Sequence, residues 1–313
     1  MKIILLTIVA LTSIILIHKT YSLQYTQLIL SAYPLVQETI EYFSIDERMA
    51  HTYTTASPEI SSFIHELLEQ HGVKNSHQIT IKLGKEYCSG NNCMMIEWLN
   101  ENSEFSLLES LIFQYNTVAN PQEAEELLML IYQHIGSIEH EISHIKNHDC
   151  KKRALSLAIF SFATWVGAKW LENTLPNWYL PLQKLVHRAE WQSKLAYNVG
   201  SGFLLALINK HIMYKMCRNQ ERAADAMISD NASILLAKVN LHTAIYENDK
   251  QQVEKQYGKF VSWLCQKIPS LYLFFDWEHP TSYERAQTFT TRLIHVLNKE
   301  NITHVQALEM HPL

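Results

Sequence analysis

Between Ala119 and Asp149 the sequence lays down a helix and a chemical motif together. Asn120 is a good N-cap, Pro121 suits the first helical position, where no amide donor is needed, and Glu123 stands where the third residue of a capping box reaches back. Leu127, Leu128, Ile131, Ile135, Ile138, Ile142 and Ile145 follow at helical spacing, so the element must be largely buried and the remainder of the chain must pack around it. The same stretch carries His140-Glu141-Ile142-Ser143-His144. On a helix the two histidines share a face one turn apart, and Glu141 lies about 100° round the cylinder from the first. Two neutral imidazoles suit Zn²⁺, and a third protein ligand with one open position makes such a site catalytic. Glu141 is badly placed to ligate but well placed to take a proton from a water at the metal. In a chain with 16 His and 31 acids the motif also arises by chance, so a third ligand has to decide.

With 313 residues, 47% hydrophobic and 18% charged, the chain can bury one large core or two modest ones. A net charge of −5 without a long basic run argues against a nucleic-acid partner. Only 8 Gly and 8 Pro leave little room for low-complexity linkers, and no internal repeat is visible.

Lys2 precedes an uncharged apolar run from Ile3 to Ile17, followed by His18, Lys19 and a small-residue site ending in Thr20-Tyr21-Ser22. The run is short for a bilayer span and long for a signal-peptide core, so residues 1–22 read as either a cleaved signal or a retained anchor, ahead of one catalytic domain over 23–313. Either brings the chain to a membrane. No Cys follows the run, which removes a lipoprotein reading. Cys88 and Cys93 bracket Ser-Gly-Asn-Asn, a turn composition; in an exported domain they would close a small disulfide loop, and otherwise they are two thiols at a loop tip. No second close pair supports a four-Cys zinc knuckle.

Residues 23–56 read as helical with an irregular end. Ser57-Pro58-Glu59 starts a helix with Ile60, Phe63, Ile64, Leu67 and Leu68 on one face and Gly72 as its stop, leaving His65 and His71 at the surface. Ile79, Ile81 and Leu83 alternate, as do Met94, Ile96 and Trp98, so a β-hairpin turning at Cys88 to Cys93 is expected. After Lys151-Lys152-Arg153 come two uncharged stretches, 154–168 and 195–209, both shorter than an upright span. The region 153–210 therefore reads as a short transmembrane hairpin, a membrane-dipping pair or buried helices. Its flanking cations would put the motif in the cytoplasm, whereas an N-terminal export signal puts it outside; the signal is given slightly more weight. Leu293, Val296 and Leu297 mark a closing helix.

For the third ligand, the metzincin spacing fails, since Asn147 stands in place of Gly and Cys150 in place of His. Glu172 and Glu190 lack an Asp four residues on. Glu221 has Asp225 there, on the same helical face. The order of HEISHIKNHD (His140 to Asp149), a long apolar insertion, ERAAD (Glu221 to Asp225) and an HP segment, His279 to Arg285, resembles the HtpX and CAAX prenyl protease type of membrane-associated zinc metallopeptidases. The resemblance covers roughly residues 120 to 290. It implies His140, His144 and Glu221 as zinc ligands, Glu141 as base and Asp225 as the acid orienting a ligand His. It also implies His279 near the metal, steadying an oxyanion, Arg285 as a salt-bridge or substrate-contact residue, and Asp149 in a structural role. Thr281 stands where the family often has a second Pro, and without several clear spans no lipid-entry chamber is implied.

The expected fold is mainly α with a small β-hairpin or sheet, a gluzincin with one Zn²⁺ per chain. The expected activity is metalloendopeptidase cleavage of protein or peptide substrates, in membrane or envelope protein quality control. The rival is a non-proteolytic zinc protein, a chaperone or assembly factor at the membrane, which would have no use for Glu141 as a base.

Overall fold

The computed structural model describes residues 53–90, 92–100, 103–174, 191–267 and 280–300, with Leu30 and Tyr33. Residues 1–22, most of 23–56, the stretch 175–190 and His279 lie outside the described residues. The chain divides into two units, one of Arg48–Asp149 with Cys217–Leu313, the other of Met1–Glu47 with Cys150–Met216.

In the first unit local signals fix the helices. Ser57 accepts from the amide of Ile60 and Pro58 opens α1 (Pro58–Gln70), which buries Ile60, Ile64 and Leu68. His65 and His71 are half-buried rather than on the surface: His65 Nε2 lies 2.9 Å from the Ile79 carbonyl, and His71 Nε2 lies 3.5 Å from Glu139 Oε1. After a 3-10 turn (Ser76–Gln78) come β1 (Thr80–Gly84), β2 (Cys88–Ser89) and β3 (Cys93–Glu97). A capping box between Ser106 and Glu109 starts α2 (Leu107–Thr117). Asn120 then caps α3 (Pro121–Asn147) by accepting from Gln122 N, and the helix buries the apolar stripe that its periodicity marks. The remaining helices are α4 (Asp149–Thr174), α5 (Trp191–Met227), α6 (Ala232–Tyr257), α7 (Lys259–Lys267) and α8 (Ser282–Glu300).

The small sheet differs from the expected hairpin. Its order is β1-β3-β2, with β1 parallel to β3 from Thr80↔Cys93 to Gly84↔Glu97, and only β2 antiparallel to β3. Alternation tells which face of a strand is buried but not which neighbour it pairs with. Here the tight turn after Ser89 returns the chain between β2 and β1. Gly84 permits this closeness, because a Cβ there would collide with the side chain of Met95.

The core of this unit joins Ile64, Leu68, Leu83, Met94 and Ile96 to Leu108, Ile131, Ile138, Ile142 and Phe289, with α3 packed against α2 and α6, and α6 against α8. The closing helix α8 buries Leu293 and Val296 as its stripe requires. A mainly helical fold with a small sheet is thus what this sequence forms.

In the second unit α4 and α5 lie against each other, joined by Asn209, which donates to Ser161 Oγ at 3.3 Å and accepts from Thr164 Oγ1 at 3.0 Å. Among the described residues no helix is long and apolar enough to cross a membrane, which overturns the transmembrane reading of 154–168 and 195–209. The cause is local: Lys151 to Arg153 and Lys169 bound one run, Lys194 and Lys210 the other, and fifteen residues rise only about 22 Å against a hydrocarbon core of about 30 Å.

Candidate metal centre

Three elements of the first unit deliver the site. The last turns of α3 carry His140, Glu141 and His144. The end of α5 carries Glu221 and Asp225 one turn apart, and the first turn of α8 carries Arg285. His140 Nε2 lies 3.1 Å from Glu221 Oε2, His144 Nε2 lies 3.3 Å from Glu221 Oε1, and the two Nε2 atoms are 3.2 Å apart. The imidazoles meet edge to face with centroids 4.8 Å apart.

Each ring is held from behind by an acid. Asp225 Oδ1 lies 2.9 Å from His140 Nδ1, close enough for an ion pair though not aligned for a straight hydrogen bond. Asp225 is itself clamped by Arg285 Nη2 at 2.5 Å. Asp149 Oδ2 lies 2.7 Å from His144 Nδ1. Asp149 reaches back because α3 stops at Asn147 and His148 adopts the left-handed conformation, φ 54° and ψ 43°, which reverses the chain into α4. Gln220 Nε2 donates to the Asp149 carbonyl at 3.1 Å and ties the corner to α5.

This arrangement leaves a charge problem at the centre. With both Nδ1 atoms turned to carboxylates, the Nε2 atoms present lone pairs to each other and to the Glu221 carboxylate. Three acceptors converge, so something positive has to sit among them. Without a metal it is a proton: burial alone would lower the His144 pKa, but hydrogen bonds to Asp149 and Glu221 and the charges of Glu141 and Glu221 push it up to about 10. Glu221 is likewise buried, yet its bonds to His140 and His144 hold its carboxyl well below the usual range. Asp225, also buried, is lowered by His140 and Arg285. The donor set equally fits zinc, since two ligands of a tetrahedral ion stand about 3.3 Å apart when each is about 2.05 Å from it.

Glu141 is set beside this trio. Its carboxylate and the ring nitrogens of His140 and His144 all lie within 4.8 Å of one another. Ser89 Oγ, on the edge strand β2, donates to Glu141 Oε2 at 2.7 Å. Two residues earlier Tyr87 OH lies 2.7 Å from His134 Nδ1, so residues 87 and 89 both touch α3. Burial lowers the pKa of His134 to about 4, with Lys238 adding to the effect, and leaves this ring a neutral partner for Tyr87.

Behind the site the packing is polar and closed. Glu139 Oε2 accepts from Ser229 N and Oγ, anchoring the chain just after α5. Lys238, 3% exposed, donates to Ser137 Oγ at 2.9 Å, and its burial, reinforced by the charge of Arg285, brings its pKa down to about 8. Gly136 serves this packing: a Cβ there would come 2.8 Å from Lys238 Cε and 2.9 Å from Ile234 Cγ2.

His140, Glu141, His144, Glu221, Asp225 and Arg285 therefore converge, while His279 lies outside the described residues. His148 is exposed, as its position after the motif suggests. Ser89 carried no sequence signal, since a lone Ser in a turn composition marks nothing. Asp149 carried one that pointed only to structure, and its approach to His144 depends on the reversal at His148. No family model matches the sequence, and no curated protein and no solved structure matches it either.

Proposed function

We propose that the protein is a zinc-dependent endopeptidase of the gluzincin kind, with His140, His144 and Glu221 holding the ion and Glu141 serving as general base. The observation that carries this reading is the convergence of two imidazoles and a carboxylate, all acceptors, beside a second carboxylate that is free of the trio. A purely structural site has no use for that fourth group. The order of the motifs, in the manner of the HtpX and CAAX prenyl protease type, supports the same reading.

When bound, zinc supplies Lewis acidity, making a water acidic near neutral pH and polarising the carbonyl to be attacked. The protein's own groups do the rest. Glu141 accepts the proton of the attacking water and delivers it to the leaving amine. Ser89 keeps the carboxylate pointed by donating to one of its oxygens, which leaves the other to work. Asp225 with Arg285, and Asp149, hold Nδ1 of the two histidines so that Nε2 stays a lone-pair donor. His279 is given the oxyanion in this scheme on the order of the motifs alone. A substrate strand added at the β2 edge would run past Glu141, and main-chain pairing there would accept varied protein sequences.

The test is Glu141→Gln assayed on an unfolded protein such as casein, with metal content measured on the same sample. The expected result is full zinc occupancy and a loss of cleavage of about 10²-fold or more. Equal cleavage by both forms would remove the mechanism. Zinc bound without cleavage by the wild type would favour the assembly-factor alternative.

A further inference from the structure

Between the turn that follows α1 and the last turn of α3 lies a groove of about 590 Å³ that the metal centre does not use. Lys74, Asn75 and Gln78 line it from the α1 side, Asn92 from just before β3, and Lys146 and His148 from the end of α3. The chain has 31 acidic residues, yet none of them lines this groove. All its polar side chains can donate a hydrogen bond. Lys74 and Lys146 are exposed, and among the described residues neither is paired with a carboxylate. Two cations among donors are a setting for a carboxylate.

The groove is also an extension of the place where Glu141 works. Glu141, Ile145 and His148 follow at i, i+4 and i+7, on one face of α3, and the last two line the groove. Opposite them the chain advances in step, from Ser89 against Glu141 to Asn92 at the groove. The β2 edge and the groove therefore form one track. From Glu141 the helix rises about 6 Å to Ile145 and about 10 Å to His148, a distance that an extended peptide covers in two to three residues.

We infer that this groove is an acid-selecting subsite, binding the side-chain carboxylate of an Asp or Glu two to three residues on the amino-terminal side of the bond cleaved. The inference rests on the peptidase reading above. Its direction follows from strand pairing: a substrate antiparallel to β2, the more stable arrangement, enters from the Asn92 end and leaves toward Cys88. Lys74 and Lys146 supply the charge, and the carboxamides and His148 supply the remaining donors. Lysines near helix C-termini also offset the helix dipoles, but that role creates no preference between Glu and Gln in a substrate.

For the test, the zinc-loaded full chain is given a peptide mixture with a run of randomised positions, and the cuts are read by mass spectrometry as the ratio of Glu to Gln at each position. Two to three residues before the cut the ratio is expected to stand about fivefold above the input, and to fall to the input value in high salt or with Lys74→Gln and Lys146→Gln together. Lys74→Arg with Lys146→Arg keeps the charge and should keep the ratio. Because the ratio is internal to each sample, the folded fraction of a variant does not enter it. Cleavage without acid enrichment at those positions, or enrichment indifferent to the double Lys→Gln change, would overturn the inference and leave the peptidase standing. If no peptide is cut, the peptidase reading fails instead, and fluorescence anisotropy reads the groove with a fluorescein-labelled Gly-Ser-Glu-Glu-Ala-Gly peptide. Binding several-fold tighter than that of its Gln-Gln counterpart, and lost in the double Lys→Gln variant, would keep the groove as an acidic-peptide site. Equal binding of the two peptides would overturn it.

Discussion

At the scale of single residues the proposed site depends on side chains set behind its two histidines. Asp149 makes the shorter of the two aspartate contacts to Nδ1 of His140 and His144, so Asp149→Asn leaves the His144 tautomer less firmly set. Zinc affinity is expected to fall about 10- to 100-fold, read by competition with a chromogenic chelator. An unchanged affinity would reduce Asp149 to a helix-end residue. Proton linkage gives a second expectation at this scale. Free of metal, folded His144 keeps its proton up to a pH of about 10, against 6.5 for an unperturbed ring. A raised folded pKa stabilises the metal-free protein fully below the unfolded value and loses that effect as pH rises through about 10. The ion must displace this proton, so zinc affinity should climb about tenfold per pH unit between pH 7 and 9. Calorimetry in buffers of different ionisation enthalpy would show about one proton released per zinc at neutral pH. No release would contradict the acceptor-only arrangement.

At the scale of elements, two glycines on helices should respond in opposite directions to the same substitution. Gly136→Ala on α3 puts a methyl against Ile234 and Lys238 of α6. The overpacking outweighs the gain in helix propensity, for a net loss of about 1 kcal/mol. Gly200 on α5 meets nothing within 4 Å of its Cβ. There Gly200→Ala should gain about as much, through propensity alone. Thermal unfolding checks both, and a stabilising Gly136→Ala would mean that α3 and α6 are packed less tightly than the distances indicate. The elements also show what a sequence exposes to reading. α3 was legible down to its cap because Asn120-Pro121 and a 3.6-residue stripe are local facts. The direction of β1 relative to β3 was not, because the same alternation serves parallel and antiparallel pairing. The apolar runs 154–168 and 195–209 were legible as apolar, but their length and flanking charges, seen on formed helices, remove the reading as spans.

At the scale of the molecule, the proposed ion would couple to folding. Ligands from α3 and α5 are 77 residues apart in sequence between His144 and Glu221. A zinc ion bound at 1,000 times its dissociation constant therefore adds about 4 kcal/mol to the unit that carries them. A chelator should lower its thermal midpoint by several degrees, reversed by zinc. An unmoved midpoint would argue against a resident ion. By itself the sequence determined the motif helix, its N-cap, its buried stripe and the pairing of Glu221 with Asp225 on one face, because helix periodicity and capping act within a few residues. Only the tertiary structure decided that Asp149 turns back onto His144, that Ser89 holds Glu141, that Arg285 clamps Asp225, and that Asn209 of α5 bonds Ser161 and Thr164 of α4. The Asp149 contact hangs on the left-handed reversal at His148, while the others join residues whose separation in the chain carries no spacing rule, so they exist only once packing has fixed which elements meet.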